Sequence, residues 1–116
     1  MSKVLTFAAV AEAATGLALL VVPSPVGQLL LGQQLAGVTL PVARVSGIAL
    51  IALGIACGPA TPLAGMLAYS TAVTLYLAYL GLAGEFSGVL LWPAAALHAL
   101  VSILLGRAWL AARGSR

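Results

Sequence analysis

Aspartate and asparagine are absent from the 116 residues, and only 6% of the chain is charged. Without aspartate, a Ser-His-Asp triad and a carboxylate-rich cation site cannot be assembled within one chain. A soluble domain carries roughly a quarter charged residues, so there is too little polar surface here to face water. A single cysteine, Cys57, excludes an internal disulfide and any paired thiolate metal motif. No glycine-rich loop runs into Lys-Ser or Lys-Thr, which removes the phosphate-binding loop. The net charge of +3 comes from basic residues gathered near the chain ends, where membrane topology accounts for them, so nucleic acid is not an implied partner.

What the chain does have is apolar length. Hydrophobic residues make up 63% of it, and a membrane-crossing helix needs about 20 of them in succession. Four such runs fit, predicting an all-α integral membrane protein: a left-handed four-transmembrane-helix bundle forming one domain over residues 1–116. The spans are expected at about 3–22, 40–57, 63–82 and 89–111. Pro23-Ser24-Pro25 stops the first, because proline lacks an N–H and clashes with the preceding turn. Residues 23–39 carry Gln28, Gln33 and Gln34 beside Leu29-Leu30-Leu31, too polar to span, and predict a short amphipathic outer segment between helices one and two. Gly58-Pro59-Ala60-Thr61-Pro62 is a tight turn. Trp92-Pro93 opens the last span with proline in the tolerated first turn. Trp92 and Trp109 lie about 25 Å apart along that helix, close to the hydrocarbon thickness, as an interfacial indole pair should.

Lys3, Arg107, Arg113 and Arg116 fall on one side of a four-span topology. The positive-inside rule then puts both termini in the cytoplasm of a bacterial inner membrane. A secretory leader is the competing reading of Lys3 and the first apolar run. That run is too long, holds Glu12, and is not followed by a small-x-small cleavage site, so a retained span is expected. The terminal Gly114-Ser115-Arg116 carries no weight.

Glu12 is the most informative residue. A carboxylate inside a membrane helix costs several kcal/mol on insertion scales unless paired, protonated or hydrated. Counted at 1.5 Å per residue, Glu12 and His98 each lie about 13 Å deep, and Arg44 only about 6 Å from the outer surface. Arg44, Gly47, Ile51, Gly54 and Gly58 form one stripe of helix two, whose glycines admit a close neighbour. Ala8, Ala9, Glu12, Gly16 and Leu19 share a face of helix one, and His98 and Ser102 a face of helix four. Tyr69, Tyr76 and Tyr79 fall close to one face of helix three. Turned inward, these stripes predict one outward-leaning cavity gathering Glu12, Arg44, Tyr76, His98 and Ser102 as a ligand or proton site.

Each residue also has a plainer reading. Glu12 and Arg44 suit a structural ion pair that fixes register. His98 suits a core histidine bonded to a tyrosine or a carbonyl. Tyrosines at the upper end of helix three suit an interfacial belt, with Tyr76 deeper and less readily explained that way; Cys57 suits a packing role, and Glu85 a solvated loop charge. Haem is disfavoured: a b-type site takes two axial ligands, and one histidine per chain would require a homodimer to share it. No metal site is expected.

Glu12-Ala13-Ala14-Thr15-Gly16, Val22-Pro23, Leu30-Leu31-Gly32 and Ala43-Arg44-Val45-Ser46-Gly47-Ile48-Ala49-Leu50 with Leu53-Gly54 together resemble small bacterial four-helix membrane proteins of the DoxX-like kind. The likeness covers roughly the first half of the chain. It implies quinone-coupled oxidation or the role of an accessory subunit. Chain length, four spans and a glutamate in helix one are also similar to the small multidrug resistance family, where that glutamate exchanges protons for cationic drugs in a dimer. The chain departs from that pattern: helix three lacks the aromatic-and-glycine signature, Arg44 would repel cations, and the first outer loop is long.

One acid, one imidazole, one guanidinium and a few hydroxyls suit proton exchange or a polar head group better than hydrolysis. The leading expectation is an intramembrane pocket for a lipid-soluble, quinone-like molecule or for protons. The alternatives are a non-catalytic accessory subunit of a larger membrane complex and a proton-coupled small exporter. Whether the chain is an enzyme stays open. The expected partners are the bilayer and a homodimer or larger membrane complex.

Overall fold

The computed structural model describes residues 3–58, 61–84, 86 and 88–114. It forms five helices, α1 (Lys3–Val21), α2 (Pro23–Leu31), α3 (Thr39–Cys57), α4 (Pro62–Ala83) and α5 (Leu91–Gly114), and no strand occurs among the described residues. All except α2 are long and apolar enough to cross a membrane. The proline pair that ends α1 also starts α2. A proline in the first turn loses no hydrogen bond and arrives with helical φ, so the expected outer segment becomes a nine-residue helix followed by irregular chain. Thr61 caps α4 by accepting the Ala64 N–H at 3.2 Å, with Pro62 in the first helical turn. α4 ends at Gly84, whose φ of 79° is the left-handed conformation a C-cap needs and whose N–H reaches Leu80 O.

The tightest contact in the fold joins α1 and α3, which run antiparallel. A Cβ added at Gly16 would lie 2.5 Å from Gly47 O, and one added at Gly47 would lie 2.5 Å from Gly16 O. Two turns further on, a Cβ at Gly54 would meet Ala9 O at 2.7 Å and Ala13 Cβ at 3.1 Å. Backbone therefore touches backbone along Ala9, Ala13 and Gly16 of one helix and Gly47 and Gly54 of the other, as small residues permit. The opposite flank of α3 receives α4, where a Cβ at Gly65 would strike Ala56 Cβ and Ala52 O. α5 joins the far side of α4, with Trp92 packed over Gly81.

The four long helices pack side by side as a bundle should, but the bundle is open. The order is α1–α3–α4–α5. No Cα of α1 comes within 8 Å of α4 or α5, nor any of α3 within 8 Å of α5. The molecule is a slab of 48 × 37 × 16 Å. Its short dimension is little more than one helix diameter of about 10–12 Å. Burial follows: the apolar core side chains are Ala9, Ile48, Ala52, Val73, Leu80 and Ala95, and no large side chain is fully enclosed among the described residues. α2 bridges α1 and α3 at one end of the slab, held by Ser24 Oγ donating to Leu35 O and by Gly27 lying against Leu35.

The same substitution at two helical glycines should act with opposite sign. Gly47→Ala inserts a methyl into the α1 backbone and should destabilise the detergent-solubilised protein by about 1–3 kcal/mol. Gly106→Ala meets open space and should be neutral or stabilising by up to about 1 kcal/mol through helix propensity. Thermal midpoints of the two variants check this.

Candidate functional site

Arg44 sits at the α2 end of the α3 stripe that faces α1, as its spacing from Gly47, Gly54 and Gly58 requires. The last carbonyls of a helix have no partner within it. In α1, Ala18 O is met by the Val22 N–H at 2.8 Å, and Leu20 O is met by Arg44, whose Nε donates at 3.2 Å. The guanidinium thus caps α1, and a cation at a helix C-terminus also complements the helix dipole. Arg44 is half-buried and lines a cavity of about 180 Å³ with Pro41, Tyr76, Tyr79, Leu80 and Phe86. Tyr76 and Tyr79 stack there with ring centroids 6.3 Å apart and planes 20° from parallel. Nε–H to Leu20 O is the guanidinium's only hydrogen bond among the described residues.

An apolar groove of about 580 Å³, walled by Val42, Val45, Leu77 and Leu91, lies on the other face, the one that Val42 and Ser46 share with Leu53 at helical spacings. The groove and the cavity share Pro41, Leu80 and Phe86.

Glu12 is elsewhere. It is half-buried beside the Ala9–Ala13–Gly16 strip, and no ion pair joins it to Arg44. The expected Glu12–Arg44 pair is therefore not formed, for a geometric reason. Thr6 and Val10 flank the strip on one side and share a groove with Ile55. Ile48 lies seven residues from Ile55 and Arg44 four from Ile48, so both follow the same side of α3 as Ile55. Glu12 lies on the other side of the strip, so the two charges occupy opposite faces of the slab.

His98 is half-buried on α5, its ring 6.0 Å from that of Tyr69 and tilted by 53°. Its Nδ1 is buried without a hydrogen-bond partner. Ser102 is its neighbour one turn on and donates Oγ to His98 O at 2.7 Å. The single cavity expected from five residues is thus divided. Arg44 and Tyr76 share the cavity at the α2 end, His98 and Ser102 sit together on α5, and Glu12 stands apart from both. The open row is the cause, because it puts α1 and α5 at opposite edges.

Tyr79, at the upper end of its helix, suited an interfacial belt from the sequence, and the structure places it in the Arg44 cavity. The spacing of three from Tyr76 did carry the signal for Tyr79, whereas Phe86, in a loop, offers no periodicity to read. Cys57 is a half-buried free thiol at the end of α3. Arg113 lies over the Trp109 ring at 4.7 Å. Glu85 falls outside the described residues. Among the described residues no three of histidine, cysteine, aspartate and glutamate gather in a metal-binding group. In chemical terms, the Arg44 cavity offers donors from a guanidinium and two phenols, suited to a carbonyl or anionic oxygen. Comparison with protein-family models, curated proteins and solved structures finds no match to this chain.

Removing the α1 cap should be measurable apart from any ligand. Arg44→Leu leaves Leu20 O unpaired, at a cost of about 1–3 kcal/mol, while Arg44→Lys keeps a cation near the carbonyl and should recover part of the loss. Unfolding midpoints in detergent report the order wild type, Lys, Leu.

Proposed function

We propose that this chain is a membrane-resident protein that holds the polar head of a lipid-soluble, quinone-like molecule against Arg44, Tyr76 and Tyr79. The observation that carries this reading is the cavity of about 180 Å³ into which a half-buried guanidinium and two tyrosines project. A cavity of about 150 Å³ accommodates benzene, so this volume suits a head group the size of one ring. With both termini on the cytoplasmic side, the cavity opens near the outer leaflet and the ligand enters laterally from the bilayer.

In this role Arg44 donates to a carbonyl or anionic oxygen through Nη while Nε stays on Leu20 O, so the residue that ends α1 also orients the ligand. The stacked tyrosine pair supplies an apolar wall and a hydroxyl. Glu12, His98 and Ser102, which the sequence placed in the same site, lie outside this head pocket.

Native mass spectrometry of the protein released from its own membranes tests the reading. The expected result is a reproducible adduct whose mass identifies the head-and-tail molecule. Its occupancy should fall at least tenfold in Arg44→Gln and severalfold in Tyr76→Phe, and should be unchanged in Ser102→Ala. A bare chain, or an adduct indifferent to Arg44, would sink the proposal.

A further inference from the structure

The geometry points to a homodimer in which two copies stack the same slab face, so that Glu12 of one copy meets His98 of the other. This goes beyond the ligand cavity, which lies at the α2 end and involves neither residue.

The first observation is that Glu12 and His98 share a face. Glu12 lies on the side of the α1 strip away from Thr6 and Val10. Along α3 and α4 the same face carries the groove of Leu53, Pro62, Met66 and Tyr69, and Tyr69 reaches the His98 ring. The opposite face carries Ile48 and Ala68, with Arg44 further along.

The second observation is a common level. Gly54 lies against Ala9 and Ala13, and Gly16 against Gly47 O and Ile51 N, so Glu12 is level with Ile51–Gly54. Ile51 and Ala52 border one space with Ala68 and Ala72, and Tyr69, next along α4, touches His98. Glu12 and His98 therefore sit at the same height to within about one helical turn.

The third observation is that neither side chain has a hydrogen-bond or ion-pair partner among the described residues. Glu12 has no ion pair or hydrogen-bonded side-chain partner among the described residues. The His98 ring has Nδ1 buried without a partner. Its Nε2 is neither buried nor hydrogen-bonded among the described residues and remains available. Inside one copy the two cannot meet, because α1 and α5 occupy opposite edges of the row.

A two-fold axis along the membrane normal, through the middle of the row, brings the carboxylate and the free Nε2 together. It lays α1 of one copy across from α5 of the other, twice, as an isologous interface requires. Each carboxylate then accepts a hydrogen bond from an imidazole Nε2 across the interface, and the shallow groove beside Tyr69 becomes enclosed between copies. Alignment of α1 against α1 would instead oppose two carboxylates, which like-charge repulsion disfavours. Lipid covering the face would leave Glu12 facing hydrocarbon, the costly arrangement for a membrane acid.

The experiment uses full-length chains in their native membranes, with Cys57→Ala as background. Two differently tagged chains, one E12C and one H98C, are co-expressed and treated with a short bifunctional maleimide. The expected product carries both tags, at least tenfold above the yield from either variant alone. In parallel, the unsubstituted protein should be a dimer by native mass spectrometry. Glu12→Gln should shift it at least tenfold toward monomer with its helicity intact. A monomer carrying only lipid, an E12C chain that links to itself as readily as to H98C, or a dimer indifferent to Glu12→Gln would each overturn the proposal. The cross-link is read without any bound head group, so failure of the Arg44 cavity to hold a ligand leaves it unaffected.

Discussion

The backbone-to-backbone crossing of α1 and α3 at Gly16 and Gly47 sets the rest of this molecule. Two helices that approach so closely gain dispersion contacts along their whole length, and they do so without large side chains. That matters where lipid competes on equal apolar terms and shape fit, rather than exclusion from water, must hold helices together. The crossing also fixes where α1 ends relative to α3. Leu20 O arrives beside Arg44 because Gly47, one turn on from Arg44, is already locked against Gly16. The cap, the direction of the guanidinium and the position of the cavity at the α2 end all follow from that registration.

The same crossing explains why the bundle stays open. α3 gives Gly47 and Gly54 to α1 and, on its other flank, Ala52 and Ala56 to α4. A helix with small residues on two nearly opposite flanks separates its neighbours instead of letting them touch. α4 repeats the arrangement, with Gly65 toward α3 and Gly81 under Trp92 of α5. A row results, and its edges keep their polar residues apart. The small side chains that permit each close approach also leave little to fill a central core. This is why the buried set is mostly alanine and glycine.

Helix limits were legible in the sequence because prolines and glycines punctuate apolar runs. The helices Lys3–Val21, Thr39–Cys57, Pro62–Ala83 and Leu91–Gly114 lie within a few residues of the limits expected at 3–22, 40–57, 63–82 and 89–111. The Arg44–Gly47–Gly54–Gly58 stripe was legible for the same reason, since glycine among larger apolar residues marks a face. The face of α1 was harder to read. Expected as Ala8, Ala9, Glu12, Gly16 and Leu19, it is centred on Ala9, Ala13 and Gly16. A helix that is apolar all round carries almost no directional signal, so a rotation of part of a turn moves Glu12 from the centre of the contact to its edge. The wheel of each helix was available, but which helices become neighbours was not. His98 and Glu12 match in depth, yet depth alone says nothing about whether two helices lie between them.

Magnitudes order the roles of the polar residues. A net hydrogen bond contributes about 1 kcal/mol, whereas an unsatisfied buried acceptor costs about 1–3 kcal/mol. Arg44 avoids such a cost at Leu20 O and keeps its remaining donors for the cavity. Glu12 stands in the opposite position: an acid on an apolar helix costs several kcal/mol, more than any one small-residue contact beside it returns, and it has no partner among the described residues. Replacing such a residue with alanine would improve the isolated helix. Its presence in a helix whose other requirements are met by alanine and glycine therefore argues for an interaction outside the single chain. The imidazole at the far edge of the row, at the same level and on the same face, is the chemically matched group.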